Sequence, residues 1–538
     1  MRVTWIAALL ISGVAGAQQV SPTINPSPDR RPGEGDGPYD RLVIRGITVI
    51  DGTGAQPRGP VDVVVERNRI AEVRSVGTPH IPITESGRPA RGAREIDGTG
   101  MYLTPGFIDL HTHTGGAPKA PDAEYVHKLW MAHGVTTVRG VPSGKMDWTL
   151  HERERSAKNE IVAPRIYAYF VPFTGEGWTS PAVITPDTAR QWVRWAKQKG
   201  IDGVKSFGGD PEIMEAVLSE ANKLGLGSTA HLSQDYVVRM NARDAVTLGL
   251  GTVTHYYGLF EALLKDRSLP SYPANQNYSD EEMRFGEQAR LWNQIHPQGS
   301  KEWNDLLQFF LDHHTVLDPT MSAYVALRDR MRAETAEWLP KYALPSMWLY
   351  SEPNRTNHAT WFYNWTTDDE YHWKNFFRVW MTFLNDYKNK GGRVTCSTDS
   401  FSIWSFYGFS YIEEMELLRE AGFSPLEIIR AATLHPAQAL FEPQHKPIEF
   451  GLIRAGLLAD MVIVYQNPLE NLKTLYGTRT IRLNDQTGKV ERIGGVKYTI
   501  KDGIVYDAKK LLADVASMVT KQKQTLKSSE VIGPRSIK

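Results

Sequence analysis

The chain has 538 residues with 61 basic and 61 acidic side chains, a formal net charge of zero at pH 7. That length exceeds what one hydrophobic core usually serves, so a large domain with a smaller companion is expected. The balanced charge argues against a nucleic-acid partner, which needs a positive field to meet phosphate, and a single cysteine, Cys396, excludes an intrachain disulfide.

The first residues, MRVTWIAALLISGVAGAQQ, join one arginine to an apolar stretch and end on Ala15-Gly16-Ala17. This pattern predicts a signal peptide over residues 1–17, cleaved after Ala17, and an exported protein, periplasmic or secreted. No other run of about 18 apolar residues follows, so no membrane insertion is expected after cleavage. Residues 18–39 are rich in Pro, Gly and charge and read as a flexible leader. From Asp40, β-branched runs broken by turn residues (RLVIRGITVIDGTG, VDVVVERNRIAEVRSVG) predict a small antiparallel sheet. A matching set returns near the other end in GLLADMVIVYQNP and GGVKYTIKDGIVYD, so residues 40–104 plus 447–507 read as one composite β-sandwich.

Between them, over 105–446, strand and helix signals alternate. Thr185-Pro186-Asp187 opens a helix that Gly200 stops, and DGVKSF follows as a strand. Eight short β-branched or aromatic runs fall near Ile108, Thr137, Ala168, Lys205, Thr229, Val253, Leu317 and Thr395. The first six recur at roughly 25 to 35 residues, the period of a (β/α)8 TIM barrel, and the last two intervals are about twice as long. The connections at about 260–312 and 322–390 therefore read as insertions over the C-terminal face of the barrel. Ser279-Asp280-Glu281-Glu282 resembles a capping box in the first. WFYNWTTDDEYHWKNFFRVWM in the second reads as amphipathic helices on the barrel or as an aromatic lid. Residues 508–538 read as a helix and a fraying tail.

TPGFIDLHTHTGG places His111 and His113 on one face at the end of the first barrel strand. Lys205, His231, His255 and Asp399 stand where later strands lose their apolar character. Four imidazoles, a carboxylate and a lysine thus converge on one rim, a costly concentration unless a cation holds it together. Ser397 and Ser400 flank Asp399 without the Gly-x-Ser-x-Gly turn of a nucleophilic serine.

These residues, with TVIDGTG, GVTTVRG, AATLHPAQAL and GLIRAGLLADMVIVYQNPLEN, resemble the amidohydrolase superfamily, in its binuclear, prolidase-like and imidazolonepropionase-like branch. The resemblance runs from about Leu42 to Asp507. It implies a metal-dependent hydrolase in which His111, His113 and Asp399 bind one divalent ion and His231 and His255 a second. Lys205 would bridge them as an N-carboxylated ligand, and the expected ion is zinc, with manganese or cobalt also accommodated by the donor set. It further implies that a hydroxide between the ions attacks a carbonyl while Asp399 shuttles the proton. The expected substrate is a small molecule with an amide bond, such as a dipeptide or N-acyl amino acid. A cyclic amide, a lactone or other ester, or a deaminase substrate remain alternatives, although Ser-Gln-Asp after His231 lacks the glutamate common in deaminases. Tyr256 and Tyr257, beside His255, and Glu176 and Trp178, after the third strand, are the expected substrate-binding residues. The sequence leaves homo-oligomerisation open.

Overall fold

The computed structural model describes residues 23–525 except 79–80, 82, 141–144, 179–183, 266–268, 356 and 403. The expected signal segment, 1–17, and the end of the tail, 526–538, lie outside the described residues. The β-branched runs at the N-terminal end form β1 (Leu42–Val49), β2 (Arg58–Glu66), β3 (Arg69–Ser75), β4 (Arg94–Asp97) and β5 (Tyr102–Pro105). β1 pairs antiparallel with β2, Ile44 opposite Val63. A bulge at Gly46, held at φ 66°, lets the two halves of β1 take different parallel partners, β4 and then β5. The sheet is therefore mixed, not antiparallel as its hairpin-like sequence suggested.

The barrel follows at once with β6 (Phe107–Thr112), β7 (Val135–Gly140), β8 (Arg165–Phe170), β9 (Gly203–Ser206), β10 (Gly227–His231), β11 (Thr252–Thr254), β12 (Val316–Asp318) and β13 (Arg393–Val394). These eight strands lie in sequential parallel order, where the strand signals place them. Closure comes from the residues beyond β13. The Asp399 amide donates to the His111 carbonyl at 2.9 Å, and Thr112 forms a parallel bridge with Ser400.

The chain then returns to the first sheet. β14 (Met461–Val464) lies beside β5, Ile463 opposite Leu103, and joins the two ends of the sequence. β15 (Thr480–Asn484) and β16 (Lys489–Ile493) form a separate hairpin, while β17 (Val496–Lys501) and β18 (Ile504–Asp507) extend the main sheet. Ile44, Ile47, Val63, Leu103, Met461, Ile463 and Ile500 are buried together in its core. The helix Ala508–Thr525 closes the described chain.

The insertions are helical. Thr185 caps the helix Pro186–Lys199 through the Thr188 amide, and Gly200 ends it at φ 98°. In the first insertion the cap is Asp280, one residue later than the capping-box reading; its side chain accepts from the Met283 amide at 3.1 Å. From Thr367 onward the aromatic stretch lies in the 23-residue helix Thr367–Asn389, which buries Trp373, Phe376, Phe377 and Trp380. It is a packed wall of the barrel, not a detached lid. None of the described helices is long and apolar enough to cross a membrane.

The leader reading is corrected over residues 23–39. This segment docks as a strap: the Asn25 amide donates to Pro121 O at 2.7 Å, buried Ser27 places its hydroxyl 2.9 Å from His127 Nδ1, and Asp36 bridges to Val505. Its composition signals disorder, yet its polar groups also meet partners around the barrel's second helix, with the Ser27 amide donating to Glu152 Oε2 at 3.0 Å and the Arg30 amide to Glu160 O at 2.7 Å.

Candidate metal centre

The six predicted residues stand on one rim because each terminates a barrel strand or the loop directly beyond it. His111 is the penultimate residue of β6 and His113 follows its end. Lys205 lies in β9, His231 ends β10, and His255 follows β11. His255 and Asp399 both take positive φ, 64° and 54°, a conformation that turns a side chain off the strand line at a cost the surrounding bonds must meet. The His255 amide is held by Asp318 O at 2.9 Å.

The groups are in mutual reach. Asp399 Oδ1 lies 3.0 Å from His113 Nε2 and 3.6 Å from His111 Nε2, and its Oδ2 lies 3.7 Å from His255 Nε2. His111, His113 and Asp399 offer ligand atoms all within 4.8 Å of one another. The His255 ring centre is 4.9 Å from that of His111 and 4.7 Å from that of His231, extending the cluster to the far side of the mouth. Lys205 is buried, with Nζ 5.3 Å from the centre of the Phe207 ring.

Electrostatics favour neutral bases around one carboxylate. Burial pushes the Lys205 amine down to about 7 and the His255 imidazole to about 3, and drives His111 and His231 well below the usual range. Burial would also raise the Asp399 carboxyl, but the hydrogen bond from His113, with the basic groups of His255 and Lys205 nearby, outweighs it and holds the group down.

Among the described residues, three buried atoms here have no hydrogen-bond partner: His111 Nδ1, His255 Nε2 and Lys205 Nζ. For His255 the tautomer follows from its neighbour. Thr320 donates its hydroxyl proton to Pro319 O at 2.7 Å, so its oxygen accepts from His255 Nδ1 at 2.5 Å and the lone pair falls on unpartnered Nε2. The unpartnered His255 Nε2 lone pair, 3.7 Å from an Asp399 oxygen and beside further imidazoles, fits a divalent cation, which takes imidazole and oxygen ligands.

A layer below the rim escaped the sequence reading. Arg139 of β7 sends Nε to Leu110 O at 2.6 Å and Nη2 to Thr229 Oγ1 at 3.2 Å and Asp318 Oδ2 at 3.3 Å. The other Asp318 oxygen accepts from Thr395 Oγ1 at 2.7 Å. Asp109 accepts from the His111 amide, the Thr398 amide and the Thr398 hydroxyl, which ties β6 to the segment carrying Asp399. A charged residue inside an apolar strand, as in GVTTVRG and GFIDLH, was the available signal.

The four expected substrate residues divide. Tyr257 lies on the site, its ring 4.4 Å from that of His231, with its hydroxyl accepting from Tyr324 at 3.0 Å. Tyr256 turns away beneath the rim, among Trp373, Phe376 and Trp380. Glu176 is exposed. Trp178 leans on Trp195 of the helix Pro186–Lys199, ring centres 5.9 Å apart, in an apolar cluster beside the barrel and not on the six groups.

Residues 312–505 match the amidohydrolase family. Over 40% of the chain the sequence is 26% identical to N-acetylglucosamine-6-phosphate deacetylase of Lysinibacillus sphaericus, covering 56% of that protein. It is 25% identical to dihydropyrimidinase of Rattus norvegicus over 40% of each. These matched regions span about half the length of the two curated relatives. Among solved structures, a Xaa-Pro dipeptidase with methionine bound in its active site aligns over 87% of this chain and 100% of its own, at 17% identity and a TM-score of 0.56. Bottromycin amidohydrolase aligns over 89% and 91%, at 18% identity and a TM-score of 0.58. The sequence match is to the amidohydrolase family over residues 312–505, and these solved structures share the fold of the chain.

Proposed function

We propose that the chain is a metal-dependent hydrolase that cleaves a carbon–nitrogen bond in a small amide, such as a dipeptide or an N-acyl amino acid. The observation that carries this reading is the buried, unpartnered Lys205 amine among four imidazoles and Asp399 at the C-terminal mouth of the barrel. A lysine with its amine pushed to about 7 is available as the neutral nucleophile that carbon dioxide requires. His111, His113 and Asp399 would hold one divalent ion and His231 and His255 another, with carboxylated Lys205 between them. Ions bound there supply Lewis acidity towards a carbonyl and a water of lowered pKa.

The chain's own groups manage the proton. Asp399, kept ionised, takes a proton from the attacking water and delivers it to the departing nitrogen. One carbon–oxygen bond forms, the carbon–nitrogen bond breaks, and acid and amine leave with no covalent enzyme intermediate. Tyr257 is placed to orient the substrate beside His231. The likenesses to a deacetylase, a dipeptidase and an amidohydrolase support this bond type. The likeness to dihydropyrimidinase favours a ring amide as the second reading.

Metal content by elemental mass spectrometry, alongside Lys205→Ala and a panel of dipeptides, N-acyl amino acids, cyclic amides and lactones, tests the proposal. About two divalent ions per chain, falling sharply in the variant together with amide cleavage, is expected. One tightly held ion unaffected by the loss of Lys205, with ammonia released from an amino-substituted ring, would replace amide hydrolysis by deamination.

A further inference from the structure

The rim above the six groups is assembled from four separate segments and carries two cations. Lys119, in the loop after β6, donates from Nζ to Phe401 O at 3.1 Å, two residues beyond Asp399. The same ammonium lies 5.0 Å from the centre of the Tyr350 ring and 5.9 Å from that of Phe401. Tyr350 donates its hydroxyl to His358 O at 3.0 Å, and His358 Nδ1 meets a Glu281 oxygen. The other Glu281 oxygen accepts from the Ala359 amide at 3.0 Å. Arg284 completes the chain by donating from Nη2 to Glu281 at 3.1 Å. The rim thus runs from the Asp399 side towards the His231 side: the Arg284 guanidinium carbon lies 5.3 Å from the centre of the Phe285 ring, that ring lies 6.5 Å from Tyr324, and Tyr324 donates to Tyr257 beside His231.

The two cations are unequally served. Arg284 has Glu281. Lys119 spends one of its three N–H donors on a carbonyl, and among the described residues no carboxylate contacts it. The acid whose charge reaches Lys119 is Asp399, already engaged by His113, His111 and His255. A half-buried ammonium between two aromatic faces is costly without an anion, and the same apolar walls strengthen any charge-assisted hydrogen bond made there. Burial lowers the Lys119 amine only to about 8, so the group stays charged at neutral pH.

We infer that Lys119 is a specificity-determining residue that grips a carboxylate on the substrate, so that the enzyme prefers acyl amino acids and dipeptides to amides without an anionic group. This rests on the proposed amide hydrolysis at the six-residue site. The substrate would lie with its amide over Asp399 and its carboxylate displacing solvent around Nζ, while the Phe401 carbonyl keeps the ammonium in place.

The test compares N-acetyl-leucine with N-acetyl-isopentylamine, which keeps the amide and the side chain and lacks only the carboxylate. In Lys119→Met, the ratio of kcat/KM for the acid over the neutral amide should fall on the order of 10- to 100-fold, mainly through KM, as for loss of a hydrogen bond to a charged group. Lys119→Arg should recover most of the ratio. Calorimetric binding of the same two compounds to wild-type and Lys119→Met holoenzyme gives a readout independent of turnover. There the acid should bind more tightly than the amide, and the variant should erase the difference. Equal losses for both compounds would make Lys119 a structural tie to Phe401, and an unchanged ratio would put the carboxylate elsewhere; either overturns the inference. If neither compound, nor any amide of the panel, is cleaved, the functional reading fails and the binding comparison still decides Lys119.

Discussion

Asp399 Oδ1 lies 3.0 Å from His113 Nε2 while the Asp399 amide donates to His111 O at 2.9 Å, so one residue closes the barrel with its backbone and joins the first strand's histidines with its side chain. The two tasks separate in Asp399→Asn, which keeps the amide bond and the shape but loses the base. Turnover should drop on the order of 100- to 10,000-fold with the melting temperature little changed. Retention of more than a tenth of wild-type kcat would remove Asp399 from the proton transfer.

Thr320 fixes His255 from outside the cluster, and its own backbone sits at φ 50° to do so. Thr320→Val preserves the shape and removes the acceptor of His255 Nδ1, freeing the ring to change tautomer. Metal affinity, measured by chelator competition, should weaken about 10- to 100-fold, as found when groups orienting a histidine ligand are lost. An unchanged affinity would mean that packing alone orients the ring.

The barrel was legible because its strands are short β-branched or aromatic runs, and the six groups of the rim lie at or just beyond the ends of five of them. What escaped depends on partners distant in sequence. Tyr256 and Tyr257 are adjacent and chemically alike, and only the position of Trp373, Phe376 and Trp380 decides that the first is buried beneath the rim and the second faces His231. Glu176 and Trp178 follow a barrel strand as the other site residues do, but their loop runs outward to Trp195. The strap over 23–39 reads as disorder because hydrophobicity, not complementarity of hydrogen bonds, is what composition reports.

Arg139 and Asp318 form an ion pair inside the barrel, both fully buried, with the guanidinium carbon 5.0 Å from the centre of the Tyr169 ring. Removing one partner leaves the other charge uncompensated. Arg139→Met should therefore destabilise by about 3–5 kcal/mol in urea unfolding. The double variant Arg139→Met, Asp318→Asn should cost less than the sum of the two single changes. Strict additivity would show that the pair does not interact as its geometry requires.

The strap supplies the clearest pH dependence. Glu34 is drawn between Arg31, whose guanidinium lies 2.6 Å from Oε1 and whose amide donates to Oε2 at 2.8 Å, and Lys128, whose Nζ lies 2.6 Å from Oε1. Burial works against the charge, but these donors prevail and lower the carboxyl from 4.5 to about 2. Because the folded value lies below the unfolded one, the ionised group stabilises the docked strap fully above pH 4.5, and that contribution disappears as pH falls towards 2. Glu34→Gln should loosen the strap at pH 7 by on the order of 1 kcal/mol, discounted for solvent screening, seen as roughly fivefold faster amide exchange over residues 23–39. Well below pH 2 the variant and the wild type should exchange alike; a difference that persists there would assign the effect to side-chain shape instead of charge.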